Sequence, residues 1–334
     1  MKRPALLIAL SFFGMSAAAR EGKPVPVTVE NFVRAESDRM FASFVAEAGG
    51  VNVFNHRREP TAVEDQPVIR MNRDTLYSAA IVDISRGATL TIPDGGARYV
   101  SVMVVNQDHY INAVLHQPGR HRLTAEDFDT PWVAVAARVL VDSGDADDVS
   151  TVNRLQDGFA VEAESATPFD CPEYDADSLN ETRAALLALA NGLTRFDGAF
   201  GAKDEVDPVR HLLCTAAGWG GLPDREARYI GVAPDLPVGA YSLTVGDVPV
   251  DGFWSVSVYN AAGYFEPNDR GAYSVNNRTA GRNDDGSVTI HFGGDESLPN
   301  QIPIVEGWNY TVRLYRPRKE IVDGTWEFPA IDPA

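Results

Sequence analysis

Four polar side chains of different chemistry lie within a short stretch of this chain, at Asn72, Arg73, Asp74 and Tyr77. They supply an amide, a guanidinium, a carboxylate and a phenol just before a strand-like run, where loop side chains can converge on a ligand. Arg73 could bind a carboxylate or sulfate through two parallel hydrogen bonds, Asp74 could act as a base or accept ligand hydroxyls, and Tyr77 could donate or stack. The alternative is structural: Asp74 caps the local backbone and pairs with Arg73 at the start of the strand.

A repeated segment is the most informative long-range pattern in the chain. Residues 98–111 align without a gap with residues 252–265, with a serine, an asparagine and a tyrosine at equivalent positions. Each copy is an alternating apolar run that leads into a turn and an aromatic residue, which is typical of a half-buried strand in an antiparallel sheet. The repeat predicts two related β domains, although unrelated strand-to-turn segments also share these common residues.

The turn of the first copy carries Asp108 and His109, which could form an acid-base pair. The second copy has Ala262 and Gly263 at these positions. The shared asparagine and tyrosine indicate a structural role, whereas the unshared Asp-His pair could be chemistry that was added to one copy.

Two further features could contact a ligand. Tyr273, Asn276 and Arg278 form a polar block that would suit hydroxylated or anionic ligands. Trp219 has glycine on both sides, which allows a close backbone approach beside an aromatic face. The alternative for Trp219 is a packed indole where a helix ends.

Metal sites are not favoured by the spacing of the metal-binding residue types. His109, His116 and His121 fit neither a helix face nor a close metal-binding pair, and the acidic run 142–148 does not fit the helix-loop-helix calcium motif. We predict no metal site and no cofactor.

The amino terminus has the layout of a cleaved secretory signal. Residues 1–19 begin with two basic residues, continue with an apolar run at 5–15 and end in three alanines. The apolar run is too short for a permanent membrane span, so the predicted location is periplasmic or secreted, with an uncleaved anchor as the alternative.

The net charge excludes some classes of partner, and the two cysteines allow a disulfide. The chain has 29 basic and 47 acidic residues and a net charge of −18, so nucleic acid and anionic membranes are unfavourable partners. Cys171 and Cys214 both lie in the exported part, where a disulfide could form, and the sequence leaves their pairing open.

Periodicity predicts helices at both ends of an otherwise strand-rich first half. A helix follows a cap at Thr28 and ends at Gly49, another follows the capping box at Ser178, and a third starts at Asp207 and Pro208. No long helical pattern separates the first strands, which favours an antiparallel sandwich. The predicted strands are 76–84, 88–92, 99–105, 132–141, 253–259, 287–292 and 310–316.

Several ordered blocks resemble a known pair of bacterial domains. The blocks at 72–78, 88–94, 98–102, 138–142 and 152–157 resemble the family called domain of unknown function 1254. The blocks at 252–259, 264–265, 273–276, 285–290, 314–317 and 323–326 resemble its companion, domain of unknown function 1214. The resemblance covers most of the mature chain and implies two jelly-roll-like sandwiches joined through helices, often in exported proteins. It implies no settled reaction.

The predicted fold is mainly β, with two jelly-roll-like antiparallel β-sandwich domains, a helical middle segment and an N-terminal helix. The predicted divisions are a signal peptide at 1–19, an N-terminal sandwich at 20–165, a helical connecting segment at 166–235 and a C-terminal sandwich at 236–334.

The predicted function is binding of a small polar or carbohydrate-like molecule in a cleft between the two β domains, without a nucleic-acid partner and without a membrane partner after signal cleavage. One alternative is a cofactor-independent hydrolase of ester, glycosidic or sulfate ester bonds that uses Asp74 or the Asp108-His109 pair, with Arg73 or Arg278 stabilising charge. The other alternative is a structural envelope protein, and a homo-oligomer is possible. The sequence has no nucleophile elbow, zinc helix, Walker loop or dinucleotide fingerprint.

Overall fold

The computed structural model describes residues 23–66, 69–193 and 195–333, so the predicted signal peptide lies outside the described residues. Within these ranges the fold is mainly β, which confirms the predicted class. The helices are α1 (Phe32–Ala48), α2 (Ala125–Phe128), α3 (Ala146–Gln156), α4 (Ala176–Ala190), α5 (Pro208–Ala217) and α6 (Lys319–Val322). The strands are β1 (Asn55–His56), β2 (Thr75–Asp83), β3 (Ala88–Ile92), β4 (Val100–Asn106), β5 (Ile111–Leu115), β6 (Gly119–Leu123), β7 (Trp132–Leu140), β8 (Ala160–Ala163), β9 (Ala227–Val232), β10 (Tyr241–Val245), β11 (Trp254–Tyr259), β12 (Ser274–Asn276), β13 (Val288–Phe292), β14 (Gln301–Ile302), β15 (Asn309–Tyr315) and β16 (Asp332–Pro333).

The chain folds into two compact units, and each unit is assembled from several segments. Among the described residues, unit 1 contains residues 23–58, Leu76–Val139 and Ser150–Pro223, and unit 2 contains Glu59–Thr75, Leu140–Val149 and residues 224–333. Helices α4 and α5 therefore belong to unit 1. None of the helices among the described residues is long and apolar enough to cross a bilayer.

Unit 1 has a five-stranded sheet in the order β1-β2-β7-β4-β5 and a three-stranded sheet in the order β6-β3-β8. Residues of β3 alternate between buried and half-buried positions, as expected for a strand with one face on a core. Helices α1 and α4 share a buried apolar cluster, against which residues of α5 pack.

The caps of these helices follow local chemistry, with two differences from the sequence prediction. The Asp207 side chain accepts the backbone N–H groups of Val209 and Arg210 in the first turn of α5, and Pro208 is the first residue of that helix, as predicted. Helix α4 begins earlier than predicted, because the Asp175 carboxylate accepts the Ser178 N–H and so makes Asp175 the cap. Helix α1 begins at Phe32, so the residue at its cap position is Asn31 instead of Thr28.

Unit 2 is a sandwich of two four-stranded sheets, in the orders β14-β13-β10-β16 and β12-β11-β15-β9. Alternate residues of β11 and β15 join one buried core with residues of β10 and β13. Among the described residues, the strand pairings of this unit are antiparallel except the short β13–β14 pair.

The sequence repeat extends to the strand order of both units. The order β2-β7-β4-β5 in unit 1 has the same connectivity as β9-β15-β11-β12 in unit 2. In the second sheets, β3 lies between β6 and β8 just as β10 lies between β13 and β16. Each unit is therefore one copy of the same strand topology.

The repeated turn has the same hydrogen bonds in both copies. The Asn106 side-chain oxygen accepts backbone N–H groups two and four residues later at 3.0 and 2.9 Å, and Asn260 does the same at 3.0 and 3.1 Å. His109 and Gly263 occupy the equivalent left-handed position, with φ of 63° and 89°. The asparagine builds the turn in each copy, whereas His109 holds a backbone conformation that suits glycine better.

Candidate functional site

The Asp74 side chain is held in the interior of unit 2 by a local turn and by distant partners. The Asn72 side-chain oxygen accepts the Asp74 N–H at 2.9 Å, and the Asp74 carbonyl accepts the Val141 N–H at 2.9 Å. These two hydrogen bonds fix the backbone on both sides of the carboxylate. The local capping that the sequence suggested is thus present, but Asn72 provides it.

The Asp74 carboxylate is buried and only half satisfied. Asp74 is 1 % exposed. Its Oδ1 accepts hydrogen bonds from Ser274 Oγ and Asn276 Nδ2, each at 3.3 Å. Oδ2 has no hydrogen-bond partner among the described residues. A buried carboxylate oxygen without a donor is costly, and it marks a place where a donor group would bind.

A polar face of the unit 2 sheet surrounds this carboxylate. Strand β11 turns Trp254, Val256 and Val258 toward the core, so Ser255 and Ser257 lie on the opposite face. Ser255 is paired in register with Asn276 on one side, and its buried Oγ also has no partner within the described ranges. The sheet register thus brings a hydroxyl next to the amide that binds Asp74.

Arg313 supplies the positive charge of this face. It is paired in register with Ser255, and its guanidinium donates to Ser257 Oγ at 2.8 Å and to Tyr259 Oη at 2.7 Å. It also donates to the backbone carbonyls of Arg70 and Met71. Burial alone would lower the pKa of Arg313, but the neighbouring tyrosine phenols and the Asp74 carboxylate outweigh it and raise that pKa. The guanidinium therefore stays charged and balances the buried carboxylate.

Arg73 and Tyr273 form a contact in the same unit. The Arg73 guanidinium lies 5.5 Å from the centre of the Tyr273 ring and donates to the Thr61 carbonyl, while its buried Nε has no partner among the residues described. Burial lowers the pKa of Arg73, and the nearby Tyr273, Glu64 and Asp74 oppose that effect. A small cavity of about 10 Å³, large enough for about one water, lies beside Tyr259 and Tyr273.

The remaining predicted residues of this group have other partners. Arg278 forms an ion pair with Asp148 at 3.0 Å, and its N–H donates to the Asn276 side chain at 2.9 Å. Tyr77 belongs to unit 1, where the Arg138 guanidinium lies 5.6 Å from the centre of its ring. The structure thus brings together Asn72, Arg73, Asp74, Tyr273 and Asn276 in unit 2.

His109 and Trp219, which the sequence suggested separately, lie together in unit 1. Their rings stack with centroids 5.1 Å apart and planes inclined by 14°. His109 Nε2 accepts the Gly220 N–H at 2.8 Å, so its Nδ1 carries the proton and donates to Thr215 Oγ1 at 2.7 Å. Burial, followed by the neighbouring His211, lowers the pKa of His109 well below its ordinary value. Both ring nitrogens of this buried imidazole are occupied.

Asp108 and His109 do not form a hydrogen-bonded pair. The Asp108 carboxylate instead binds the Arg34 guanidinium of α1 at 2.6 Å. The preceding residue, Gln107, donates to Asp38 of α1 at 2.9 Å. Three side chains that only the first copy of the turn carries therefore attach helices α1 and α5 to the sheet of unit 1.

Trp219 and the cysteines have surroundings that fit packing roles. The Trp219 indole donates to Ser37 Oγ at 3.0 Å and contacts Phe41 and Phe44 just after α5 ends. Cys171 and Cys214 are both thiols, and burial raises the pKa of Cys214 to about 11.

Sequence reasoning missed Ser255, Ser274 and Arg313. A signal for the first was present, because Ser255 and Ser257 are the polar positions of an alternating strand. Nothing local linked Arg313 or Ser274 to Asp74, since their proximity depends on strand pairing.

Two protein-family models match parts of the chain. Residues 51–122 match "Protein of unknown function (DUF1254)", and residues 237–319 match "Protein of unknown function (DUF1214)". No curated protein matches the chain.

A solved structure shares the fold. The crystal structure of the VPA0106 protein from Vibrio parahaemolyticus is similar to this chain with a TM-score of 0.72 and 18% identity, covering 92% of this chain and 97% of that one. An uncharacterized protein from Burkholderia cenocepacia has a TM-score of 0.49 and 15% identity, over 91% of this chain and 87% of its own.

Proposed function

We propose that this protein, a member of the two-domain DUF1254/DUF1214 family, is an exported binding protein for a small polyhydroxylated molecule, with Asp74 as the central binding group. The observation that carries the proposal is the half-satisfied Asp74 carboxylate, whose Oδ2 has no donor among the described residues. Export is inferred from the signal-like residues 1–19.

The groups around Asp74 fit hydroxyls better than a purely anionic ligand. Asp74 Oδ2 can only accept, Arg73 Nε can only donate, and Ser255 Oγ can do both. A hydroxyl both donates and accepts, so a molecule with adjacent hydroxyls, such as a sugar or polyol, can satisfy all three groups. A carboxylate or sulfate ligand would leave Asp74 Oδ2 without a donor and would repel it.

Ligand size implies that the site opens. Asp74 is 1 % exposed, and the cavity of about 10 Å³ beside Tyr259 and Tyr273 holds about one water and is not lined by Asp74, Arg73 or Ser255. A sugar or polyol must therefore displace the residues that cover the polar sheet face, which include the turn at 69–74. This predicts slow association and a change in amide exchange at that turn when ligand binds.

The direct test is a thermal-shift screen of the full mature chain against sugars, polyols, organic acids and sulfate esters, followed by calorimetry on the hits. A ligand at 100 times its dissociation constant should add about 2.7 kcal/mol to the unfolding free energy. We expect polyhydroxylated compounds to raise the melting temperature. Asp74→Asn should weaken their binding by at least tenfold, because the asparagine amide has one accepting oxygen where the carboxylate has two.

A second buried aspartate provides the matched control. Asp83 lies in unit 1 with Oδ1 bound by the Ser85 N–H and Oγ, and with Oδ2 bound by the Thr167 N–H. Asp83→Asn should lower stability while leaving the ligand-induced shift intact. The proposal is wrong if no polyhydroxylated compound binds the native protein, or if Asp74→Asn and Asp83→Asn bind it equally well.

A further inference from the structure

A serine and a histidine are hydrogen-bonded in unit 1, at a site apart from the Asp74 group. His56 of the edge strand β1 is paired in register with Ser78 of β2, and His56 Nδ1 lies 2.8 Å from Ser78 Oγ. This is the distance at which an imidazole can take a proton from a hydroxyl.

Gln156 of α3 determines the direction of that hydrogen bond. Its Nε2 contacts the backbone carbonyls of Arg57 and Tyr77 at 3.2 and 3.1 Å, and Ser78 Oγ at 3.1 Å. Because backbone carbonyls only accept, the amide nitrogen must face this way and donate. The amide nitrogen cannot accept the serine proton, so among the described contacts of Ser78 Oγ the acceptor is His56 Nδ1, which is then the unprotonated nitrogen.

The surroundings keep the imidazole neutral and oriented. Burial, followed by the positive charge of Arg58, lowers the pKa of His56, and Asp157 opposes this effect. Asp157 is itself paired with Arg58 at 2.6 Å. The His56 ring stacks on Phe54 with centroids 5.7 Å apart and planes inclined by 17°. A neutral, fixed imidazole with an unprotonated nitrogen toward a hydroxyl is a competent general base.

Two amide oxygens of α3 are buried without a partner among the described residues. Gln156 is 0 % exposed, and its Oε1 has no partner among the described residues. Asn153 Oδ1, three residues earlier on α3, is likewise buried and without a partner within the described ranges. Both atoms can only accept, so each would bind a water or a hydroxyl.

We propose that Ser78 is a nucleophile and His56 its general base, and that the pair hydrolyses small acyl esters. Ser78 Oγ bonds to the ester carbonyl carbon while its proton passes to His56 Nδ1, and the departing alkoxide takes that proton and leaves as the alcohol. Water then attacks the acyl-serine and gives a proton to His56, and the proton returns to Ser78 as the carboxylic acid leaves. No other reactant is needed.

The burial of Ser78 defines the substrate class. Ser78 is 1 % exposed, whereas His56 is half-buried on an edge strand of only two residues. A substrate must therefore reach the hydroxyl past this short edge, and we assign short acyl groups such as acetyl as the substrate class.

The experiment is covalent labelling of the full mature chain with a small fluorophosphonate, with p-nitrophenyl acetate hydrolysis in parallel. We expect one adduct, located on Ser78 by peptide mass spectrometry and absent in Ser78→Ala. His56→Gln should keep an acceptor for the serine proton but lose the base, and should slow both reactions at least 100-fold. Rates in the native protein should rise with pH as His56 loses its proton, and Arg58 and Asp157 are the charged groups that act on it.

A control separates this activity from folding. Ser101→Ala removes another buried serine of unit 1 and should leave labelling unchanged. If Ser78→Ala does not fold, Ser78→Cys with iodoacetamide tests the same position, and alkylation should depend on His56. The proposal is overturned if native protein gives no adduct at Ser78, or if His56→Gln reacts as fast as the native chain.

Discussion

The buried imidazole of His109 makes the stability of this protein depend on pH in a predictable direction. Burial and the neighbouring His211 lower the folded-state pKa of His109 well below its ordinary value. In the unfolded chain the pKa returns to about 6.5, so below that pH the unfolded state binds more protons than the folded state. The stabilising contribution is fully present above the unfolded pKa and is lost as the pH falls below it.

The size of the effect follows from proton linkage. If the imidazole between Thr215 and Gly220 stays neutral, lowering the pH from about 7.5 to about 5.5 costs about 1.4 kcal/mol of unfolding free energy through His109 alone. Protonation in place is opposed because Nε2 would then face the Gly220 N–H with a second donor.

The assay is urea denaturation at the two pH values for the native chain and for His109→Asn. Asparagine tolerates the left-handed backbone at φ 63°, so the replacement adds little strain, although it loses buried contacts. The native chain should lose about 1.4 kcal/mol more than the variant between the two pH values, because all other titrating groups are common to both. Equal losses in the two proteins would refute the neutral, fully bonded imidazole.

Three further outcomes follow from other contacts. Asn260→Ala should lower the unfolding free energy by roughly 1–3 kcal/mol in urea melts, because two turn N–H groups lose their acceptor; an unchanged midpoint would contradict that role. Arg313→Met should cost about 3–5 kcal/mol, because Ser257 Oγ, Tyr259 Oη and two backbone carbonyls lose their buried donor. Adding Asp74→Asn should recover part of the loss by removing a negative charge that Arg313 offsets, which the double-variant melt measures. In the folded protein a thiol reagent near neutral pH should modify Cys171 and spare the buried Cys214, because the pKa of Cys214 is raised to about 11. Both cysteines should react in denaturant. Rapid reaction at Cys214 in the folded protein would show that it is not buried.

Features that depend on neighbouring residues could be predicted from the sequence. The repeat of residues 98–111 in 252–265 predicted two related β domains, and the asparagine in each copy binds its own turn within four residues. Strand alternation predicted β4, β11 and β15 to within about one residue at their ends. The start of α5 could also be predicted, because its cap Asp207 and first residue Pro208 are neighbours in the sequence.

Features that depend on strand pairing and helix docking were decided by the tertiary structure. Asp74 is hydrogen-bonded to Ser274 and Asn276, which lie 200 and 202 residues away in the sequence. His109 is hydrogen-bonded to Thr215, which lies 106 residues away. The turn placed Asp108 beside His109 in sequence, yet their side chains bind different helices, since adjacent residues in a turn point in different directions.

The sequence by itself thus determined the strand content, the repeat and the chemical types available at each turn, because these follow from side-chain periodicity and short-range hydrogen bonds. Only the tertiary structure decided which polar groups are buried together and which lack a partner, as at Asp74 Oδ2 and Ser255 Oγ. The physical reason is that burial and hydrogen-bond satisfaction depend on which faces of distant strands and helices pack together, and no local pattern encodes that pairing.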